Sequence, residues 1–456
     1  MPLNRQSPVP LYLQLYRQLR DDYDPQRSAN QRLWPIRKMA QNLGVSKTTV
    51  EQAYEQLLAE GYVHTVPGSG YFYNDIKHWP QPTPAAVSAS QPKLPVACQY
   101  DFRYGVTELL KPSWNAWKKA VREALRQAET GPTTVYPDAQ GVWALREELV
   151  TFLKTSRGVH CTADQIVITN GSKAGLSLLL SILPRGIVGV ENPGYRGLTS
   201  LAASYGHTTT AIPITTSGID LSAVTRCDPA VVYTTPSHQF PLGYVLPIAK
   251  RLALLKWAAD YQRLIIEDDY DSEYRYNAHP LPSLQSLATA DQVAYLGTFS
   301  RGIDPTLRMG YLVLPKRLVA SYHRLYQYRS GMVAGLLQQA MLNYFTSGAY
   351  YRHLSRSRAV NRQKYRLVCE QFAGTNCIHP ITTGAGIHVV VRIPNVQRER
   401  LLTQLVKNSV RIYPLDSNWA GMPSHDYYLL GFAALDLGTL KTGLQRLIRV
   451  CEANAD

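Results

Sequence analysis

Six short apolar segments, separated by helix-like stretches, recur between residues 166 and 314 and constrain the fold of this chain more than any other feature. Each segment is rich in valine, isoleucine, leucine or tyrosine, which is typical of strands buried on both faces of a sheet. The alternation predicts an α/β fold with a mostly parallel sheet wound by helices. The segments are Ile166–Thr169, Ile187–Val190, Val231–Thr235, Leu264–Glu267, Val293–Gly297 and Tyr311–Leu314.

The N-terminal region carries a different pattern. Leucines recur every four residues from 11 to 19, which places them on one helical face. A second helix is predicted over residues 37–43, Gly44 ends it, and Ser46 can cap a third helix. Residues 62–73 then have the pattern of a strand, a glycine-containing turn and another strand. Three helices followed by a hairpin predict a winged helix-turn-helix.

A proline-rich stretch separates these two patterns. It holds five prolines between residues 80 and 95 and little apolar periodicity, which predicts an extended linker. At 456 residues the chain is long enough for two or three domains. The predicted organisation is a winged helix over 1–75, a linker over 76–98 and a ligand-binding domain over 99–456, with a large lobe at about 130–315 and a smaller α+β lobe at about 316–456.

The third N-terminal helix carries the residues expected to read DNA. In a helix-turn-helix, the second helix of the motif places its first residues at base edges and phosphates in the major groove. Lys47 can contact phosphate or guanine, and nearby hydroxyls can bond phosphate oxygens. Arg37 is placed for a backbone contact, and the wing glycines allow the loop to approach the minor groove. The candidate DNA-binding residues are Arg37, Ser46, Lys47, Thr48, Thr49, Gly68 and Gly70.

Several motifs of this region occur in the same order as in a known family. They are Pro10-Leu11-Tyr12, Leu43-Gly44-Val45-Ser46-Lys47-Thr48-Thr49-Val50, Glu60-Gly61-Tyr62 and Pro67-Gly68-Ser69-Gly70. With them, residues 8–75 resemble the GntR family of bacterial regulators, which implies double-stranded DNA as a partner. The segment Leu33-Trp34-Pro35-Ile36-Arg37 departs from the family's Leu-Pro-Ser-x-Arg. The alternative is a winged helix used only for protein contacts or dimerisation.

Charge and composition agree with this interpretation. The net charge of +15 favours a polyanionic partner, although residues 1–80 hold only nine basic against seven acidic residues. The six cysteines lie far apart, without the close pairs of metal or redox motifs, so no metal site is expected. The sequence has neither a signal-peptide pattern nor a membrane-length apolar run, so a cytoplasmic location is expected and a membrane partner is not.

Three motifs of the second domain place polar groups at carboxyl ends of predicted strands, where doubly wound sheets bind ligands. Thr169-Asn170-Gly171-Ser172-Lys173 ends a strand and opens a helix, so that backbone N–H groups and the Ser172 hydroxyl can face an anion. Residues 265–273 place several carboxylates at such an end, and one of them could hold a pyridinium proton. Residues 297–310 add a hydroxyl and two guanidinium groups for a phosphate.

Together with Glu191-Asn192-Pro193-Gly194-Tyr195 and residues 235–243, these motifs closely resemble the MocR subfamily of GntR regulators. Its ligand domain is a fold-type I aminotransferase-like unit, and pyridoxal phosphate is the cofactor of that fold. The resemblance implies that Asp268 pairs with the pyridine nitrogen, that Tyr270 bonds the ring hydroxyl and that Tyr195 lies against the ring. It also implies phosphate contacts from Ser172, Thr298 and Arg308. The candidate cofactor-binding residues are Gly171, Ser172, Lys173, Tyr195, Asp268, Tyr270, Thr298, Arg301 and Arg308.

The sequence departs from the family at Arg301, which stands where Gly-Thr-Phe-Ser-Lys carries the Schiff-base lysine. A guanidinium stays protonated and does not form an ordinary imine, so no catalytic residue and no transamination are expected. Three alternatives remain open: pyridoxal phosphate bound non-covalently, another phosphorylated or carboxylated metabolite, or an empty structural pocket. Lys173 could replace the missing amine, but a solvated or phosphate-facing lysine is the favoured interpretation.

The sequence therefore predicts a DNA-binding transcription regulator that senses a small-molecule effector and is not an enzyme. A homodimer is expected, because aminotransferase-like sites are usually completed across a dimer interface and a winged helix gains specificity by reading two half-sites. Two other functions are weighed against it. One is a pyridoxal-phosphate-dependent, aminotransferase-like enzyme with an appended DNA-binding module, and the other is a ligand-independent DNA-binding protein.

Overall fold

The computed structural model describes residues 3–24, 30–75, 97–107, 111–130, 138–276, 281–326, 328–381, 383–421 and 426–454. The chain divides into two compact units, Met1–Leu94 and Pro95–Asp456, and each is described by itself. Most of the predicted linker, residues 76–96, lies outside the described residues. Within the described ranges, no helix has both the length and the apolar character needed to cross a lipid bilayer.

The N-terminal unit is the predicted winged helix-turn-helix. Its elements are α1 (Leu11–Asp21), α2 (Ile36–Leu43), α3 (Lys47–Ala59), β1 (Val63–Val66) and β2 (Gly70–Tyr73). The two strands pair antiparallel, and the preceding segment extends this wing because the Leu33 N–H donates to the Tyr71 carbonyl at 2.9 Å. The core forms because α3 buries Val50, Tyr54 and other apolar side chains against α1.

The altered segment before α2 still leads into a helix. Pro35 precedes the first turn, and the Tyr54 hydroxyl donates to the Trp34 carbonyl at 2.8 Å, which fixes the segment on α3. Gly44 ends α2 in a left-handed conformation with a φ of +63°, which residues that carry a Cβ rarely adopt. Ser46 then caps α3, because its hydroxyl oxygen accepts from the Thr49 N–H at 3.1 Å. The departure from the family motif therefore leaves the helix-turn-helix intact.

The second unit is an α/β domain built on a large mixed sheet. Its helices are α4 (Lys111–Thr130), α5 (Trp143–Arg157), α6 (Ser172–Ile182), α7 (Gly197–Ser204), α8 (Leu221–Cys227), α9 (Ile248–Asp260), α10 (Leu284–Leu287), α11 (Lys316–Tyr326), α12 (Gly335–Thr346), α13 (Ala349–Phe372), α14 (Arg398–Lys407) and α15 (Leu437–Glu452). Its strands are β3 (Tyr100–Asp101), β4 (Ile166–Thr169), β5 (Ile187–Asn192), β6 (Thr208–Thr215), β7 (Gly218–Ile219), β8 (Val231–Thr234), β9 (Leu264–Asp269), β10 (Val293–Thr298), β11 (Gly310–Val313), β12 (His379–Ile381), β13 (His388–Arg392), β14 (Val410–Arg411), β15 (Tyr413–Pro414) and β16 (Tyr427–Gly431).

The large sheet has eight strands in the order β4-β11-β10-β9-β8-β5-β6-β7. Strand β11 runs antiparallel to both of its neighbours, and β7 runs antiparallel to β6. All six predicted strands are present, and the sequence pattern missed β6 and β7. Strand β6 lies near the sheet edge and Ile212 is its one fully buried residue, so it lacks the continuous apolar run of the others.

The smaller lobe is an antiparallel sheet in the order β12-β13-β16-β15, with β3 and β14 paired beside it. The side-chain cores of the two lobes do not follow the chain order on either side of residue 316. Helices α11 and α12 pack with the large sheet, whereas Tyr100 and Phe102 join the core of the small lobe. The long helix α13 spans both cores, because Tyr350 lies in the large-lobe core and Tyr365 in the other.

Candidate functional site

The carboxyl ends of β4, β5, β8, β9 and β10 meet at one edge of the large sheet, and two adjoining cavities lie there. The first encloses about 270 Å³. It is lined by Tyr104, Ser172, Lys173, Leu176, Tyr195, Tyr233, Thr235, Phe240, Asp268, Tyr270, Arg301 and Arg308. The second, of about 250 Å³, shares five of these residues and adds Gly105, Thr298, Ser300 and Pro305. This is the position at which doubly wound sheets bind ligands.

Asp268 supplies the carboxylate that lines the larger cavity. One of its oxygens, Oδ2, accepts from the Tyr233 hydroxyl at 2.6 Å, whereas Oδ1 is buried without a hydrogen-bond partner among the described residues. Burial raises the pKa of Asp268 to about 6, although the bond from Tyr233 lowers it. A buried acceptor without a donor is costly, so Oδ1 is suited to a ligand N–H.

Tyr270 is held by a buried network behind the cavity. Its hydroxyl donates to the His238 carbonyl at 2.7 Å, and His238 Nδ1 lies 2.8 Å from Asp271 Oδ2. His388 belongs to the same cluster, with Nε2 bonded to the Pro241 carbonyl at 3.1 Å. Burial lowers the pKa of His388 well below its usual value, which keeps that imidazole neutral. The network fixes the Tyr270 ring beside Asp268.

An anion-binding cradle forms where α6 begins. Gly171 has a φ of +80°, and a Cβ there would lie 2.9 Å from an Arg308 guanidinium nitrogen, so glycine permits the close approach of Arg308. Ser172 opens α6, whose first N–H groups favour an anion. The Thr298 hydroxyl is used inside the turn, where it accepts from the Ser300 N–H at 3.1 Å. The Ser300 hydroxyl is buried without a partner in the described part of the chain.

Arg301 lies in the cavity at the predicted lysine position. Its guanidinium carbon is 4.2 Å from the centroid of the Tyr104 ring, a cation–π contact. The backbone at Gly105 has a φ of +88°, and a Cβ there would lie 1.9 Å from Nη1 of Arg301. Phe240 and His388 pack against the same tyrosine ring, with centroids 5.5 and 4.8 Å away. Tyr104 and Gly105 therefore form a packing site for the Arg301 guanidinium inside the cavity.

Two buried acids behind the cavity accept several hydrogen bonds, although Asp269 Oδ1 is buried without a partner among the described residues. Asp269 Oδ2 accepts from Arg157 Nε at 2.6 Å and from the Tyr295 hydroxyl at 2.5 Å. Burial alone would raise the pKa of Asp269, but Arg157 and these hydrogen bonds lower it below its usual value. Glu191 accepts from the Thr235 N–H and hydroxyl at 3.1 and 2.7 Å. These contacts orient the strand ends that carry the cavity residues.

The structure brings all nine candidate cofactor-binding residues together. Eight line the cavities, and Gly171 contributes by admitting Arg308. The sequence interpretation missed Tyr104, Tyr233, Phe240 and Ser300. Tyr104 comes from the segment before α4, far from the motifs along the chain, and only the cavity reveals it. Ser300 lies within residues 297–310, the motif that predicts a phosphate site, so the sequence contains a signal for it.

The candidate DNA-binding residues lie on the surface of the N-terminal unit. The side chains of Arg37, Lys47 and Thr48 are exposed, Thr49 is half-buried, and Gly68 and Gly70 form the exposed turn of the wing. Ser46 is exposed but also caps α3, where its oxygen lies 2.8 Å from the Thr49 hydroxyl. These two hydroxyls bond each other, so the first turn presents chiefly Lys47 and Thr48 to a partner.

Two families match this chain, and together they cover most of it. Residues 101–442 match the family described as aminotransferase class I and II. Residues 11–72 match the bacterial regulatory proteins of the gntR family.

Relatives with both parts cover nearly the whole chain. The chain is 34% identical to the uncharacterized HTH-type transcriptional regulator YdeL of Bacillus subtilis, covering 98% of this chain and 97% of that one. It is 33% identical to the HTH-type pyridoxine biosynthesis transcriptional regulator PdxR of Corynebacterium glutamicum, over 89% of this chain and 88% of the relative. It is 29% identical to the probable rhizopine catabolism regulatory protein MocR of Rhizobium meliloti, over 98% and 94%.

The second unit also resembles solved aminotransferases. The kynurenine aminotransferase of Pyrococcus horikoshii superposes with a TM-score of 0.68 at 22% identity, covering 77% of this chain and 90% of that one. An archaeal alanine:glyoxylate aminotransferase gives a TM-score of 0.70 at 20% identity, with 78% and 91% covered. At this identity the likeness establishes the fold alone. The chain belongs to the MocR-like subfamily of GntR regulators, in which a winged helix-turn-helix is joined to a fold-type I aminotransferase domain.

Proposed function

We propose that this protein is a DNA-binding transcription regulator whose aminotransferase-like domain binds a small anionic effector without covalent attachment. The observation that carries the proposal is the position of Arg301, which lines the cavity beside Asp268 and Arg308 where the sequence motif predicts the Schiff-base lysine. The effector is pyridoxal phosphate or another phosphorylated or carboxylated metabolite. The relatives, which are regulators by name, support a regulatory rather than an enzymatic role.

The residues present fit pyridoxal phosphate apart from its covalent attachment. The unpartnered Asp268 Oδ1 is suited to the pyridinium N–H, and Ser172, Ser300 and Arg308 would hold the phosphate. The family normally uses this cofactor, and one relative is named for pyridoxine biosynthesis. When bound at a lysine, the cofactor supplies an electron sink for amino-acid chemistry. Here Arg301 orients and neutralises an anion, and Asp268 holds a proton at the ring nitrogen.

Binding of a ligand with a protonated ring nitrogen should weaken in acid. Because burial raises the pKa of Asp268 to about 6, its carboxylate is ionised above that pH and protonated below it. Calorimetric titration with pyridoxine 5′-phosphate, which has no aldehyde, should show an affinity loss between pH 7 and pH 5 that is about tenfold larger in the wild type than in Asp268→Asn. The variant controls for titration of the phosphate. Equal pH profiles would contradict a role for the Asp268 carboxylate.

DNA binding is tested through the exposed residues of α3. Lys47→Ala should weaken binding to an operator fragment and reduce the salt dependence of log K by about one, because one phosphate contact is lost. Lys441→Ala, an exposed lysine on α15 of the other unit, is the matched control and should leave both quantities unchanged. Electrophoretic mobility shifts at several salt concentrations measure both. Loss of the same size in the control would show a non-specific charge effect.

Two other functions predict different results in an amino-group transfer assay and in DNA titrations with and without small anions. Amino-group transfer by the wild-type protein would identify a pyridoxal-phosphate-dependent enzyme with an appended DNA-binding module. DNA affinity that no small anion changes would identify a ligand-independent DNA-binding protein. Our proposal further includes a homodimer that acts in the cytoplasm. Effector binding would change how its two winged helices are placed on two DNA half-sites.

A further inference from the structure

Arg301 and Arg308 are two guanidinium groups with unused binding capacity in one cavity. Both line the two adjoining cavities, and within the described part of the chain neither forms an ion pair. The contact of Arg301 with Tyr104 combines a cation–π approach with a side-chain hydrogen bond, and the neutral tyrosine leaves the charge uncompensated. A guanidinium has five N–H donors, so one bond to Tyr104 leaves donors that can pair with a carboxylate.

The charges lining the larger cavity are strongly unequal. Lys173, Arg301 and Arg308 are cationic, whereas Asp268 is the one carboxylate among its described lining residues. Asp268 has one oxygen engaged by Tyr233 and the other without a partner. A ligand that satisfies this cavity therefore needs more than one negative charge, together with one N–H donor for Asp268.

Resting on the proposed function, we propose that the effector carries two anionic groups, a phosphate that binds the cradle of Ser172 and Arg308 and a carboxylate that pairs with Arg301. A phosphorylated pyridine that carries a carboxylate has this chemistry, because its ring N–H can donate to Asp268. Arg301 is then the residue that selects an acid over an aldehyde, because a carboxylate can accept two N–H bonds from a guanidinium and an aldehyde cannot. Packing against Gly105 positions the Arg301 guanidinium in the cavity for this contact.

Three analogues that share one ring and one phosphate test the charge at the position facing Arg301. They are 4-pyridoxic acid 5′-phosphate, pyridoxine 5′-phosphate and pyridoxamine 5′-phosphate, which carry a carboxylate, a neutral hydroxymethyl group and a cationic aminomethyl group. Titration calorimetry on the full chain should rank their affinities in that order. The carboxylate should bind about tenfold tighter than the hydroxymethyl group, as expected for one charge-assisted hydrogen-bonded pair.

Two variants assign the preference to Arg301. Arg301→Gln should remove the difference between the carboxylate and hydroxymethyl analogues, while Lys173→Gln, which removes another cation of the same cavity, should weaken both and leave their ratio unchanged. The thermal unfolding of each variant checks that it is folded, and the wild-type ranking stands as a test by itself. Equal affinities in the wild type, or a ratio that survives Arg301→Gln, would overturn the inference and leave ligand sensing intact. Binding of none of the three would also overturn the inference, whereas the proposed function would fail only if no small anion bound the cavity.

Discussion

On the proposed function, Arg301→Lys should retain pyridoxal phosphate covalently, whereas the wild type should form no covalent adduct at this residue. The cavity already supplies an acid for the ring nitrogen and a cradle for the phosphate, so the missing element is an amine. A lysine at residue 301 provides that amine from the same backbone position, and Arg308 and Ser172 are unchanged. The expected change is from no covalent adduct at this residue to nearly one per chain.

Mass spectrometry after borohydride reduction measures the adduct and locates it. Lys173→Ala, made in both the wild type and the Arg301→Lys variant, is the control, because Lys173 is the lysine among the described residues that line the cavity. Peptide mapping should find the label at residue 301 whether or not Lys173 is present. A specific adduct on Lys173 in the wild type would show that a replacement amine exists, and absence of any adduct in the variant would show that the cavity no longer accepts the cofactor.

The central strands of this fold could be predicted because strands buried on both faces consist of short apolar runs, which are visible in the sequence. Residues 293–298 and 264–269 lie in the centre of the sheet and begin with runs of four and three apolar residues. The lobe boundary could not be read in the same way. Helix α12 is rich in apolar residues whichever lobe it joins, and its place against α4 depends on contacts between residues more than 200 apart in the chain.

Some residues of the candidate site could likewise be predicted from the sequence, and others could not. Asp268, Tyr270 and Arg308 belong to local motifs, so their presence at one sheet edge follows from parallel strands ending together. Tyr104 has no local motif, and it reaches Arg301 because β3 pairs with β14 of the small lobe and carries the following residues to the cavity. The unpartnered oxygens of Asp268 and Ser300 are also properties of packing, which residue identity alone does not reveal.

Arg157→Leu should destabilise the aminotransferase-like unit by about 3–5 kcal/mol, because it leaves Asp269 as an uncompensated buried charge. The Arg157 and Asp269 side chains are 6% and 1% exposed, and the guanidinium also donates to Ser237 Oγ at 2.7 Å and to the Leu281 carbonyl at 2.9 Å. Arg263→Leu is the matched control. It removes an ion pair with Asp228 whose side chains are 31% and 46% exposed, and such pairs contribute about 0.2–1 kcal/mol.

The pH dependence separates loss of charge compensation from loss of packing. In the wild type the pKa of Asp269 lies below its usual value, so its pairing stabilises the fold above that range and is lost as the pH falls through the folded-state pKa. Without Arg157, burial should raise that pKa, so the difference in stability between variant and wild type should shrink as the pH is lowered from 7. Hydrogen exchange of the β9 and β10 amides in the full chain measures this difference. Adding Asp269→Asn should recover more than half of the stability lost at pH 7, and a loss that is independent of pH and not rescued by Asn would mean that Arg157 acts through packing alone.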